Sequence, residues 1–234
     1  RSKIRKALNL DIDAISINVP QPEGNFNPVE YLENVIKETE PDGIIMERPL
    51  PPWLPLSEIE NIVPDYLDVE GANVRTMGRN LMGERVLIPA TAEATLRIIE
   101  SLGGKYGKHV CIINRSQIIG RPLAAALINR DYTVTICHSK TQNLPAIASS
   151  CDIVVTATGK AHFLDQKYVR KGGAVIDVGV ISTPQGITGD CDRQNLEGYV
   201  SFLTPVPGGV GPVTTSVIMN NFVRMAMDRI EDRL

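Results

Sequence analysis

Apolar runs recur at short intervals from Lys108 onward: "HVCIIN", "TVTICH", "DIVVTAT" and "GAVIDVGV", separated by the helix-like "RPLAAALINR" and "NLPAIASS". Near-continuous apolar runs mark strands covered on both faces, as in a parallel sheet. Parallel neighbours need crossover connections, and these are right-handed. This half of the chain is therefore expected to form a doubly wound, Rossmann-like α/β domain, which takes ligands beyond the carboxyl ends of its strands. The other half reads as helix "SKIRKALNL", strand "AISINVP", helix "PVEYLENVIKETE" and a short buried strand in "PDGIIMERPLPPWLP", a second α/β layer structure. The helix "ATAEATLRIIESLG" carries Ala92, Leu96, Ile99 and Leu102 on one face, with Thr91 as expected N-cap and Gly103-Gly104 as its stop. It marks the domain change. The expected division is residues 1–88 plus 214–234, with the C-terminal helix packed back on the first domain, against residues 89–213.

Composition narrows the function. The chain has 234 residues, 43% of them hydrophobic and 22% charged, enough for a well-buried core. A net charge of -3 offers no basic excess for phosphate neutralisation, so no nucleic-acid partner is expected. No apolar run reaches the roughly 18–20 residues of a membrane helix, and no membrane partner is expected. Cys111, Cys137, Cys151 and Cys191 form no C-x-x-C pair and read as buried thiols in a reducing, cytoplasmic compartment, without a metal site. The opening "RSKIRKALNL" reads as the inside of an amphipathic helix, so an upstream segment is expected and targeting stays open.

Three stretches carry chemistry. In "NRSQIIGRP" a turn leads from strand to helix, where free amides attract phosphate. Gly120 permits close approach, and Arg115 and Arg121 offer forked donors. The stretch "TICHSKT" ends the next strand, beside the expected adenine ribose. His138, Ser139 and Lys140 stand where an acidic residue would favour a free 2′-hydroxyl, so NADP is expected over NAD. Finally, "TPVPGGVGP" fixes a rigid loop with exposed amides before the last helix.

That loop, extended to "TPVPGGVGPVT", closely resembles the signature of the bifunctional methylenetetrahydrofolate dehydrogenase/methenyltetrahydrofolate cyclohydrolases. Other pieces follow in order. "DGIIMERPLP" resembles their D-G-I-x-V-Q-x-P-L-P, "LDVEGANVRTMG" their K-D-V-D-G-F-x-x-x-N-x-G, "PATAEA" their P-C-T-P-x-G, and "NRSQIIGRP" their G-R-S-x-x-V-G-x-P. "TVTICHSKT", "GKAHFL", "GAVIDVGV" and "GDCD" complete the series. The resemblance implies a two-domain α/β fold with a cleft between the domains. It also implies an enzyme of one-carbon metabolism and purine biosynthesis. A hydride passes from 5,10-methylenetetrahydrofolate to NADP⁺, and water then opens the methenyl cation to 10-formyltetrahydrofolate. A homodimer through the NADP domain is expected, with a reduced folate as the small-molecule partner.

By the same resemblance Lys3 is the catalytic lysine, Glu47 stands beside it in place of the usual Gln, and Glu70 replaces the aspartate that grips the pterin. A carboxylate at 47 is expected to hold Lys3 as the ammonium and to weaken hydrolysis or move it to higher pH. Pro49, Leu50, Pro51, Pro207, Gly208 and Gly209 are expected against the substrate. Asn114, Arg115, Ser116, Gly120, Arg121, His138, Ser139, Lys140, Gly159 and Val180 are expected against NADP. Asn114 departs from a family Gly, while Thr76, Ala90, Ala92 and Ala94 depart from Asn, Cys, Pro and Gly on the folate side. The departures leave three alternatives: a dehydrogenase with impaired cyclohydrolase, a non-catalytic NADP-binding subunit, and an unrelated small-molecule dehydrogenase.

Overall fold

The computed structural model describes residues 2–21, 23–47, 50–54, 62–84, 86–103 and 108–231. The chain divides into two compact units, Arg1–Gly78 with Thr215–Leu234, and Arg79–Thr214. The first begins with α1 (Ser2–Leu8) and α2 (Pro28–Thr39). The start of α2 is chemically specified. The Asn27 side chain accepts the Val29 and Glu30 amides at 3.0 and 3.4 Å, and Pro28 occupies the first turn, where its missing N–H costs nothing.

The strand expected over residues 14–20 does not form; Ile15 and Ile17 are 72% and 44% exposed. Alternating apolar residues make a strand only when a neighbour takes up the backbone hydrogen bonds, and no described segment pairs here. The strand expected around residue 44 shrinks to one parallel bridge between Ile44 and Asp68. Its bonds run from the Ile44 amide to the Leu67 carbonyl, 2.7 Å, and from the Val69 amide to the Ile44 carbonyl, 3.3 Å. Helix α3 (Val74–Leu81) follows, an element the sequence reading did not contain.

The second unit is the expected doubly wound sheet. It runs α4 (Ala90–Ser101), β1 (His109–Ile113), α5 (Gly120–Ile128), β2 (Thr133–Cys137), α6 (Leu144–Ser149), β3 (Ile153–Thr156) and β4 (Ala174–Asp177). The hairpin β5 (Ile181–Thr183) and β6 (Gly186–Thr188) comes next, then α7 (Arg193–Leu196) and β7 (Phe202–Leu203); α8 (Val210–Glu231) begins in this unit and from Thr215 onward belongs to the first. Pro89, not Thr91, precedes α4, and no side chain caps it. Thr91 lies inside the first turn, and its carbonyl accepts the Thr95 hydroxyl at 2.8 Å.

Five strands form one sheet in the order β2-β1-β3-β4-β7, every pair parallel. Val110, Cys111 and Ile112 on β1 and Val154 and Val155 on β3 are fully buried, as apolar runs covered on both faces require. Each such branched aliphatic side chain contributes about 1.5–3 kcal/mol on leaving water. All four cysteines are free and buried, and the Cys111 and Cys137 sulfurs lie 3.8 Å apart. Among the described residues no helix is long and apolar enough to cross a membrane.

Candidate functional site

From β1 the chain first adds β2 on one side and then returns to add β3 on the other. The strand order therefore reverses between β1 and β3, and the crevice beyond their carboxyl ends is the place where such sheets hold ligands. Asn114, directly after β1, organises it. Its side-chain amide donates to the Ala157 carbonyl just past β3 at 2.7 Å. Its side-chain oxygen accepts the Ser116 and Gly120 amides at 2.8 and 3.1 Å. A glycine, the residue the resemblance leads one to expect here, could make neither contact. Gly120 is required by the same turn: a Cβ there would lie 2.1 Å from the Asn114 carbonyl oxygen.

The turn differs from the expected cradle of free amides. Besides the two held by Asn114, the Ile119 amide donates to Ser116 Oγ at 3.1 Å and the Arg121 amide to the Ser116 carbonyl at 3.1 Å. The Asn114 and Ser116 side chains and the Ser116 main-chain carbonyl satisfy these donors, which leaves the exposed Arg115 and Arg121 guanidinium groups as the cationic donors of the turn. At the end of β2 the half-buried His138 donates its amide to Thr141 Oγ1, 2.9 Å, and its Nδ1 accepts the Lys140 amide, 3.1 Å. With Nδ1 accepting, Nε2 carries the ring N–H. Ser139 and Lys140 are exposed beside it. Ring N–H, hydroxyl and ammonium, with no carboxylate in residues 138–141, suit a phosphate better than a ribose hydroxyl.

Gly159 lies in the loop after β3, Val180 after β4, and Pro207, Gly208 and Gly209 in the loop after β7. Gly159, Val180, Pro207 and Gly208 are exposed, whereas Thr204 at the base of the last loop is buried. Sequence reasoning missed two buried carboxylates at the roots of these loops, Asp177 and Asp190, 3% and 0% exposed. Their signal was present: an aspartate ending the apolar strand "AVID", and another in "GDCD". Burial raises the Asp177 carboxyl above its ordinary value, against the lowering pull of the Cys191 and Asp190 amides.

In the first unit Lys3 Nζ donates to both Glu47 oxygens, at 2.7 and 2.8 Å, with the two side chains 27% and 66% exposed. An ion pair so open to water contributes little stability, so its consequence is chemical. Glu70 lines an open pocket with Ile44, Met46, Val63, Asp68, Ala72 and Asn73. Asp68, missed by the sequence reading, is buried and accepts the Gly71 and Asn73 amides at 3.0 and 2.6 Å. Burial raises its carboxyl, opposed by those same amides. Asn73 Nδ2 donates to the Val63 carbonyl at 2.9 Å, and Asn221 Nδ2, on α8, to the Val69 carbonyl at 3.0 Å. The turn that presents Glu70 is thus held on both sides. Leu50 is half-buried and Pro51 exposed, while Pro49 lies outside the described residues. Thr76, Ala90, Ala92 and Ala94 are buried.

The family model described as "Tetrahydrofolate dehydrogenase/cyclohydrolase, NAD(P)-binding domain" matches residues 89–230. The "Bifunctional protein FolD" of Picrophilus torridus is 39% identical over 95% of this chain and 80% of its own length. The crystal structure of bifunctional 5,10-methylenetetrahydrofolate dehydrogenase/cyclohydrolase from Thermoplasma acidophilum covers 98% of this chain and is itself covered over 83%, with a TM-score of 0.87 and 35% identity. The Trypanosoma brucei N5,N10-methylenetetrahydrofolate dehydrogenase-cyclohydrolase, complexed with NADP cofactor and an inhibitor, gives a TM-score of 0.87 at 29% identity, over 97% of this chain and 81% of the other.

Proposed function

The chain belongs to the tetrahydrofolate dehydrogenase/cyclohydrolase family, and from that premise we propose that it oxidises 5,10-methylenetetrahydrofolate with NADP⁺ and hydrolyses the methenyl product to 10-formyltetrahydrofolate. One observation carries this reading. The likeness to a bifunctional relative runs through 95% of the chain, across both the unit with Lys3 and the Glu70 pocket and the unit with the parallel sheet.

The residues present fit an NADP molecule: the donors at residues 115, 121 and 138–140 are cations, a hydroxyl and a ring N–H, the set a phosphorylated ligand requires. Arg115 and Arg121 would hold the central phosphates, His138, Ser139 and Lys140 the 2′-phosphate, and Gly159 and Val180 the nicotinamide end. When bound, NADP⁺ supplies the hydride acceptor. The protein's own contribution is chiefly positioning. Glu70 accepts hydrogen bonds from the pterin amino and ring N–H groups, and the apolar Ile44 and Met46 line its pocket. Leu50 and Pro51 extend the substrate surface of the first unit, and in the sheet unit the loop of Pro207, Gly208 and Gly209 is assigned to the substrate. Lys3 handles the proton and the water at the one-carbon bridge.

The Lys3–Glu47 pair favours a second reading, a dehydrogenase with impaired hydrolysis. A lysine whose ammonium is engaged by both oxygens of a carboxylate, at 2.7 and 2.8 Å, has fewer N–H groups left to place a water at the one-carbon bridge. In Glu47→Gln we expect methenyl hydrolysis to rise, with hydride transfer little changed. An unchanged hydrolysis rate would remove the assigned role of Glu47. The finer assignments belong to the same proposal: a cytoplasmic homodimer formed through the sheet unit, serving purine biosynthesis. Sedimentation at micromolar concentration should give twice the 25.6 kDa chain mass.

A further inference from the structure

The three loops assigned to the nicotinamide and the substrate, after β3, β4 and β7, are joined by a continuous buried chain of hydrogen bonds. It starts at Thr204, at the root of the β7 loop, whose hydroxyl oxygen accepts the Asp177 amide at 2.7 Å. The Asp177 carboxylate accepts the Gly179 amide at 3.0 Å, and the Asp190 and Cys191 amides at 3.0 and 2.9 Å. The Asp190 carboxylate in turn accepts the Thr156 hydroxyl at 2.8 Å, the Thr158 amide, and the Lys160 amide at 3.1 Å. The two aspartates are interlocked through glycines. A Cβ at Gly179 would lie 2.3 Å from Asp190 Oδ1, and a Cβ at Gly189 would lie 2.1 Å from Asp177 Oδ2. Each carboxylate therefore occupies space left by a missing side chain beside the other, and neither site tolerates a larger neighbour.

The β3 loop is gripped from both flanks. Asn114 holds the Ala157 carbonyl from the β1 side, and Asp190 holds the Thr158 and Lys160 amides from the other. Between those anchors lies Gly159, at the crevice where the strand order reverses. A simpler device would cap one loop with one carboxylate. Two buried carboxylates in series are costly to desolvate, and they are satisfied here by backbone amides drawn from separate loops.

We propose that Asp177 and Asp190 are positioning residues for hydride transfer: they set the β3 loop and, through it, the nicotinamide end of NADP. The inference rests on the function proposed above. Neither carboxylate touches the reacting atoms. Both act through the loop backbone, so their loss misplaces the cofactor rather than removing a chemical group.

The test uses Asp190→Asn, which keeps shape but turns one acceptor into a donor facing an amide. Thr156→Val and Thr156→Ser provide a graded pair. We expect Asp190→Asn to lower kcat for NADP⁺-dependent methenyl formation about 10–100-fold, the scale of an ångström misplacement, and to weaken NADP binding measured by equilibrium dialysis. Amide hydrogen exchange at Thr158 and Lys160 should quicken, while amides of β1 keep their protection. Thr156→Val should follow in the same direction, and Thr156→Ser should restore wild-type values. Wild-type kcat, NADP affinity and exchange in a folded Asp190→Asn protein would overturn the proposal. Should Asp190→Asn not fold, identical values in Thr156→Val and Thr156→Ser would overturn it equally. Absence of methenyl formation in the wild-type protein would instead contradict the function itself, leaving dialysis and exchange to decide on the loop.

Discussion

Gly120 and the four thiols show how far single residues specify this chain. The close approach at Gly120 is to the Asn114 carbonyl, so Gly120→Ala must displace the turn after β1. We expect a loss of about 1–3 kcal/mol, the usual cost of overpacking, read as a lowered urea midpoint, together with weaker NADP binding. Burial pushes the Cys111, Cys151 and Cys191 thiols above their ordinary value. A raised folded value favours the neutral thiol in the native state. The stability it contributes is complete below the unfolded thiol value, roughly 8.5, and declines as pH rises beyond it, because only the unfolded chain then ionises. Native protein should therefore resist a thiol reagent at pH 8 and react at all four cysteines in urea, and its urea midpoint should fall above about pH 9. Rapid labelling of the native protein would contradict the burial of the cluster.

At the scale of elements, Asn221 on α8 holds the turn that carries Glu70. Asn221 is 2% exposed, and its Nδ2 holds the Val69 carbonyl. Asn221→Leu leaves that carbonyl unsatisfied, which should cost about 1–3 kcal/mol, and should raise KM for the folate more than it lowers kcat. An unchanged KM would separate α8 from the pocket. Elements whose signal is their own pattern were legible in the sequence. The apolar runs of β1, β3 and β4 and the helical spacing of α2 needed no distant information. What depends on partners was not. The alternation in residues 14–20 is that of a strand, yet no described segment pairs with it. The hairpin of β5 and β6, too short and polar to show a period, escaped notice. The Glu47 position was readable beside Lys3, whereas Asp68, Asp177 and Asn221 were not, because their bonds are to backbone groups that only the folded chain brings near.

For the whole molecule, the proposed function assigns the cofactor to the parallel sheet with its reversed strand order and the substrate to the carboxylate pocket. The donors at His138, Ser139 and Lys140 predict discrimination at the cofactor. Charge-assisted bonds to a 2′-phosphate should favour NADP⁺ over NAD⁺ by about tenfold or more in kcat/KM. Lys140→Ala together with Ser139→Ala should reduce that ratio toward unity without abolishing turnover with NAD⁺. The most direct measurement is spectrophotometric: purified protein with 5,10-methylenetetrahydrofolate and NADP⁺ or NAD⁺, following methenyl absorbance as it forms and decays. The account predicts NADP⁺-dependent formation, with decay that Glu47→Gln accelerates. NADP bound without any methenyl formation would contradict it.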